Sequence, residues 1–224
     1  MVQISTPTAI GFIITTVLTV FFLYKATKSI ITLIIISLWM IVTTILAFKG
    51  FYSNTKEYPP HFIFLIAPGV LFAVITGIGK SLSKDRISTS LKWLTILHII
   101  RIPVELLLFC LYKNRVIPHL MTFEGYNFDI ISGITTPIIY YFIFIKKALD
   151  CKYLLGWNII CLALLINIVS IAVLSAPTPF QKLAFNHPNI GVTYFPYVWL
   201  PAVIVPIVLY SHIISIRQLL KSIK

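Results

Sequence analysis

The chain has 224 residues, of which 58% are hydrophobic and 11% are charged, and its formal net charge is +12 at neutral pH. A water-soluble domain contains about 25% charged residues, so this composition excludes a soluble enzyme, a nucleic-acid-binding domain and a disordered tail. The mean hydropathy of +0.97 instead indicates a chain that has a lipid bilayer as its solvent. The 18 Lys and Arg residues lie mostly in short clusters between apolar segments, which is typical of membrane topology signals.

Seven segments are long and apolar enough to be membrane-spanning helices, which need about 20 residues each. In chain order they lie near residues 8–24, 29–48, 61–79, 91–112, 129–145, 153–174 and 195–216. The sequence therefore predicts an all-α integral membrane protein, with one transmembrane domain over residues 1–224 that is a seven-helix bundle. The first apolar segment precedes the first basic residue, Lys25, so we expect a retained helix and not a cleaved signal peptide.

The distribution of Lys and Arg predicts the orientation of this bundle. Twelve of them follow the first, third and fifth predicted helices or lie in the C-terminal tail, whereas five lie in the connections on the opposite side. Because Lys and Arg are enriched in cytoplasmic loops, we expect the C-terminus in the cytoplasm and the N-terminus outside. An even number of helices would break this alternation, so the charges also favour seven.

Three ionisable residues fall on one stripe of the fourth predicted helix. His98, Arg101 and Glu105 are spaced i, i+3 and i+7, which places them on one face. An ionisable group inside the bilayer costs about 2.5–3.5 kcal/mol and so usually has a partner or a function. Arg101 and Glu105 can neutralise each other as an i, i+4 pair, and His98 is expected to be a hydrogen-bonded core residue.

The Arg101–Glu105 pair has three interpretations. It is a structural salt bridge that faces the bundle interior, a site in which Arg101 holds an anionic or carbonyl group, or a pair that faces lipid. In the second case Glu105 moves a proton or positions a cation.

Further polar residues are expected in the outer half of the bundle. Asp129 begins the fifth predicted helix, where a carboxylate suits the positive end of the helix dipole, and Glu124 lies in the loop before it. Asn167 is expected to join helices through hydrogen bonds, and Trp199 fits an interfacial aromatic belt. His212, near the cytoplasmic end of the last helix, is expected to cap that helix or to reach the interface.

Motifs for metal or nucleophilic chemistry are missing from the sequence. The histidines His61, His119 and His187 fall on the outer side, but they form no HxxxH or HxH pair, so no metal site is predicted. The chain has no HExxH, GxSxG, GxGxxG or P-loop motif. The sequence therefore identifies no catalytic residue and no cofactor.

Three stretches are similar to those of a known family. They are residues 101–105, residues 121–129, and residues 175–177 together with 195–201. They resemble an uncharacterised family of small bacterial, Bacteroidota-type polytopic membrane proteins, and the likeness covers about residues 101–219. The resemblance implies a bacterial inner membrane and implies no catalytic role.

The leading functional hypothesis is an outward-facing polar pocket that binds a small molecule or a lipid-like ligand, in a sensor, carrier or accessory subunit. Arg101 and Glu105 form its floor, and Glu124 and Asp129 form its rim. The predicted ligand-binding residues are Arg101, Glu105, Glu124, Asp129, His98, Asn167 and Trp199. The alternatives are a membrane-embedded enzyme that acts on a lipid or isoprenoid at the outer leaflet, and a small transporter. The odd helix count and the absence of a repeat count against the transporter.

Overall fold

The computed structural model describes residues 5–54, 58–79 and 89–223, and the regular structure within them is helical. Seven long helices occur in these residues, joined by connections that contain single turns of 3₁₀ helix. They are α1 (Thr6–Thr27), α2 (Ile30–Phe48), α3 (Phe62–Ile78), α4 (Leu91–Lys113), α5 (Ile130–Ile145), α6 (Cys151–Leu174) and α7 (Leu200–Ile223). A helix is therefore present at each of the seven predicted positions.

The ends of α7 differ most from the predicted boundaries. We predicted a helix over residues 195–216, whereas α7 runs from Leu200 to Ile223. Before Leu200 the N–H of Trp199 donates to the carbonyl of Pro196, three residues earlier, at 3.1 Å. Pro196 and Pro201 supply no N–H group, and the first turn of α7, Leu200–Ile204, is a π-helical turn, so the regular α-helical ladder begins at Val205.

Five helices, α1, α2, α4, α6 and α7, are long and apolar enough to cross a membrane. Helices α3 and α5 are shorter and also apolar. Large apolar side chains cover the outward faces of these helices, as shown by Ile31 and Leu71, which are 72% and 61% exposed. Such a surface is unfavourable in water and suited to lipid.

The centre of the bundle is formed by α4 and α7. In the most apolar stretch of each helix, 61% of the residues of α4 and 56% of those of α7 are buried, whereas only 11% of those of α2 are buried. Helix α7 packs against α3, α4 and α6, and α1 packs against α4. Residues on α4 and α7 are therefore those that the fold removes most completely from the surroundings.

The connections between helices gather at the two ends of the bundle. At one end the N–H of Ser90, before α4, donates to the carbonyl of Ala26, at the end of α1, at 2.9 Å. At the other end the N–H of Gly191, before α7, donates to the carbonyl of Val116, after α4, at 3.0 Å. We call the segments 114–129 and 175–199, which meet at this second end, the cap.

Helix α2 stands apart from α3, and a groove of about 700 Å³ lies between them, with α7 at its floor. Trp39 of α2 reaches across it, and its Nε1 donates to the carbonyl of Ala202 at 3.1 Å. Phe72 and Pro206 contribute to its largely apolar wall. We expect lipid chains to fill this groove in a bilayer.

The predicted orientation depends in part on basic residues that lie outside the described residues: Lys56, Lys80, Lys84, Arg86 and Lys224. The placement of either terminus relative to a membrane therefore stays a prediction.

Candidate functional site

A buried arginine joins three helices at the centre of the bundle. The Arg101 side chain is 2% exposed, and it forms an ion pair with Asp129 at the start of α5. The same Nη1 atom lies 2.9 Å from the Ser132 hydroxyl and 3.3 Å from the carbonyl oxygen of Cys161 in α6. Because one amino group serves three acceptors, Arg101 holds α4, α5 and α6 together.

The second amino group of Arg101 contacts a histidine of α7. Its Nη2 lies 3.0 Å from Nε2 of His212. Because a guanidinium group can only donate, Nε2 is the acceptor and the proton is on Nδ1, which donates to Oδ1 of Asn158 at 2.9 Å. The Asn158 amide donates in turn to the carbonyl of Leu154. His212 is thus neutral and fixed from both sides, so the prediction that it caps α7 or reaches the interface is wrong.

A second histidine stacks on the first. The His98 and His212 rings are 4.0 Å apart and nearly parallel, and the edge of Trp157 meets His98 at 5.5 Å. The Ser211 hydroxyl donates to the carbonyl of Leu94 and therefore accepts from Nε2 of His98 at 3.2 Å. His98 is a hydrogen-bonded core residue, as predicted, and within the described residues its Nδ1 has no partner.

Replacing Asn158 with leucine should lower the free energy of unfolding by about 1–3 kcal/mol, because the buried Nδ1–H of His212 loses its acceptor. The measurement is equilibrium unfolding of the purified protein in detergent. The matched control is Asn186→Leu, which removes an exposed amide of the cap and is expected to change stability by about 0.5 kcal/mol or less. Equal losses in the two variants would show that the His212 hydrogen bond contributes nothing.

Glu105 contacts the cap and not Arg101. Its carboxylate oxygens lie 2.7 and 2.6 Å from Nδ2 of Asn127, in the segment before α5. The same amide nitrogen also donates to the carbonyl of Met121 at 3.1 Å, and Oδ1 of Asn127 accepts from the N–H of Asp129. One amide N–H therefore serves both oxygens of a carboxylate that is 1% exposed.

The predicted Arg101–Glu105 pair is therefore not the ion pair that the structure forms. Within the described residues the ion pair of Arg101 is with Asp129. Asp129 offers its carboxylate from a neighbouring helix at the level of Arg101, whereas Glu105 lies one turn further along α4, beneath the cap. Asp129 is correspondingly a buried partner of Arg101 and not a rim residue, and its side chain makes no capping bond at the start of α5.

Arg101, Glu105 and Asp129 line a common cavity. Its volume is about 60 Å³, which is above the roughly 10–15 Å³ that a single water needs. Apart from these residues and Asn189, its wall consists of apolar side chains from α3, α4, α6, α7 and the cap. Three ionisable groups therefore share the wall of a small and largely apolar cavity.

Four of the predicted ligand-binding residues do not line this cavity: His98, which is buried between α4 and α7, and three residues nearer the surface. Glu124 is exposed on the cap, where the chain turns at Gly125 against the backbone of His119. Asn167 is exposed, and its amide donates to a backbone carbonyl of the cap at 2.8 Å. Trp199 is half-buried, and its Nε1 donates to a backbone carbonyl of α2 at 3.3 Å. These side chains fasten the surface of the fold and are not brought to Arg101.

Sequence reasoning missed the roles of Asn127 and His212. His212 is an ionisable residue inside an apolar helix, and this property is the one signal in the sequence that could have assigned it to a buried site. Asn127 carried no comparable signal, because asparagine is common in loops. No group of three or more His, Cys, Asp or Glu residues that could hold a metal ion occurs within the ranges that the structure describes.

The fold and the site together define an all-helical protein with membrane-length apolar helices and a buried ionisable cluster at its centre. The chain belongs to the family whose model is described as Domain of unknown function (DUF8737), which matches residues 58–220. The match spans α3 to α7 and all residues of the Arg101 cluster, and it confirms the expectation of an uncharacterised family. No curated protein and no solved structure matches the chain.

Proposed function

We propose that the chain is a seven-helix integral membrane protein of a bacterial inner membrane, with its N-terminus outside and its C-terminus in the cytoplasm. Five helices of sufficient length and apolarity support this proposal. The shorter α3 and α5 join connections at the same two ends of the bundle, so they follow the alternation of the longer helices. The excess of Lys and Arg on one side, twelve against five, supports the orientation.

The function that the geometry supports best is the binding of a small ligand in the cavity beneath the cap, in a sensor, carrier or accessory subunit. The observation that carries this proposal is the position of Glu105. A structural salt bridge needs only Arg101 and Asp129, whereas Glu105 is a further buried carboxylate that lines the same cavity. An ionisable residue inside a membrane bundle generally lies on a substrate or ion pathway or at a ligand. In the proposed orientation the cap lies outside, so the cavity faces outward.

Filling the cavity tests this function without changing any charge. Ala172 of α6 lines the cavity, whereas Ala163 of the same helix is exposed. Native mass spectrometry of the purified protein should show a bound small molecule on the wild type and on Ala163→Leu, and none on Ala172→Leu. Bare chains in all three samples, or the same bound mass in all three, would contradict the proposal.

The alternative functions gain no specific support within the described residues. The enzyme hypothesis relies on Glu124 and Asp129 at the outer surface, but Glu124 is exposed on the cap and Asp129 is paired with Arg101. The transporter hypothesis relies on a path through the bundle, and the cavity is a small chamber at its centre. Ligand binding is therefore the function that we carry forward.

A further inference from the structure

The charges around the cavity do not balance. The guanidinium of Arg101 is neutralised by the carboxylate of Asp129. His212 adds no charge, because its hydrogen bonds place one proton on its ring, and His98 does not line the cavity. When Glu105 is ionised, its carboxylate therefore has no countercharge among the residues that line the cavity, and a bound cation would supply one.

The hydrogen bonds of Glu105 are also incomplete. A carboxylate has about four acceptor sites on its two oxygens, and among the residues that the structure describes Glu105 receives a single amide N–H, from Asn127. Asn189, another wall residue, is fully buried, and its Oδ1 has no partner within the described residues. Its assignment as the oxygen is fixed because the Asn189 amide nitrogen donates to the carbonyl of Ala172 at 3.1 Å. The cavity thus holds two acceptors that require donors.

The apolar side chains of the cavity wall indicate the chemical nature of the rest of the ligand. Leu165, Ile168, Ile204 and Val208 belong to an apolar surface that surrounds the polar end. Such a surface cannot supply the six or so oxygen ligands that a bare metal ion requires, but it suits a short hydrocarbon chain. An anion is disfavoured, because Asp129 already neutralises Arg101 and an anion in the cavity would meet the carboxyl group of Glu105.

We propose that the cavity binds a small primary ammonium compound with a short alkyl chain. Its ammonium group contacts Glu105 and donates to Asn189, and its chain lies against the apolar wall. An ammonium group has three N–H donors and one positive charge, which match the unpaired carboxylate and the free amide oxygen. The cavity volume of about 60 Å³ restricts the ligand to a small one, such as an alkylammonium with about five non-hydrogen atoms. This inference rests on the proposed function and specifies its ligand class.

Three probes of equal length separate the possibilities: n-butylammonium, n-butanol and butyrate, each titrated into the purified full-length protein at constant ionic strength. Binding is measured from the rise in melting temperature with probe concentration, which is a direct linkage effect. We expect n-butylammonium to stabilise the wild type more than the other two probes. Its apparent affinity should fall at least tenfold in Glu105→Gln, which keeps an acceptor for Asn127, and severalfold in Asn189→Leu. Glu124→Gln, the same substitution at an exposed carboxylate outside the cavity, should behave as the wild type.

Equal stabilisation by all three probes, preference for butyrate, or an unchanged response in Glu105→Gln would overturn the inference. Other outcomes test the proposed function separately from the ligand class. A response to butyrate or butanol that disappears in Ala172→Leu would leave the pocket intact and reject only the ammonium ligand. If no probe binds the wild type and its native mass is that of the bare chain, both proposals are wrong.

Discussion

Replacing Arg101 with methionine should lower the free energy of unfolding by about 3–5 kcal/mol, the cost of removing one partner from a buried ion pair. The carboxylate of Asp129 then remains buried with no countercharge, and its nearest remaining side-chain partner is the Ser132 hydroxyl at 3.5 Å. His212 also loses the donor that its Nε2 accepts from. Equilibrium unfolding of the purified variant in detergent measures this loss.

A second substitution, at Asp129, tests whether the unpaired carboxylate causes this loss of stability. Because a buried ion pair often exchanges for apolar residues at little net cost, the double variant Arg101→Met with Asp129→Leu should recover most of the stability. Arg115→Met is the matched control, since Arg115 is exposed and its loss should cost about 0.5 kcal/mol or less. A double variant that loses the sum of the two single effects would show that Arg101 and Asp129 act independently.

Replacing Gly133 with alanine should lower the free energy of unfolding by about 1–3 kcal/mol, the usual cost of overpacking. Helix α5 contacts α4 closely at this glycine. A Cβ atom there would lie 2.7 Å from the side chain and 2.9 Å from the backbone nitrogen of Ile102, which follows Arg101. The backbone cannot move aside as a flexible side chain does, so the two helices separate and Asp129 shifts away from Arg101.

Gly156→Ala is the control for this substitution. Gly156 lies inside α6, and a Cβ atom there meets nothing within 4 Å. Alanine is favoured over glycine in a helix by about 0.5–1 kcal/mol, so this variant should be slightly more stable than the wild type. Thermal unfolding of both variants is the measurement. If Gly133→Ala stabilised the protein as Gly156→Ala is expected to do, α4 and α5 would not be in close contact at Gly133.

The helices could be predicted from the sequence because each is a long apolar segment between polar connections. Length and apolarity are local properties, and they are sufficient to place a membrane-length helix. The start of α7 could not be obtained in this way, because residues 195–199, which precede it, are as apolar as the helix itself. Pro196 supplies no N–H group and lies just before the helix begins, so it carries more information about this boundary than hydropathy does.

The site was predicted in part. The stripe of His98, Arg101 and Glu105 follows from helical spacing, and the structure places all three side chains in the bundle interior. Their partners could not be predicted, because Asp129 and His212 come from helices whose rotation and depth depend on tertiary packing. A local i, i+4 rule favoured Glu105 as the partner of Arg101, but a carboxylate from α5 forms the ion pair instead.

The measurement that tests the central claim most directly is an experimental density map of the protein in lipid nanodiscs. We expect Arg101 paired with Asp129 inside the bundle, and density for a small bound molecule between Glu105 and the apolar wall of the cavity. A map in which the α4 stripe faces lipid, or in which protein side chains fill the space beside Glu105, would contradict the account.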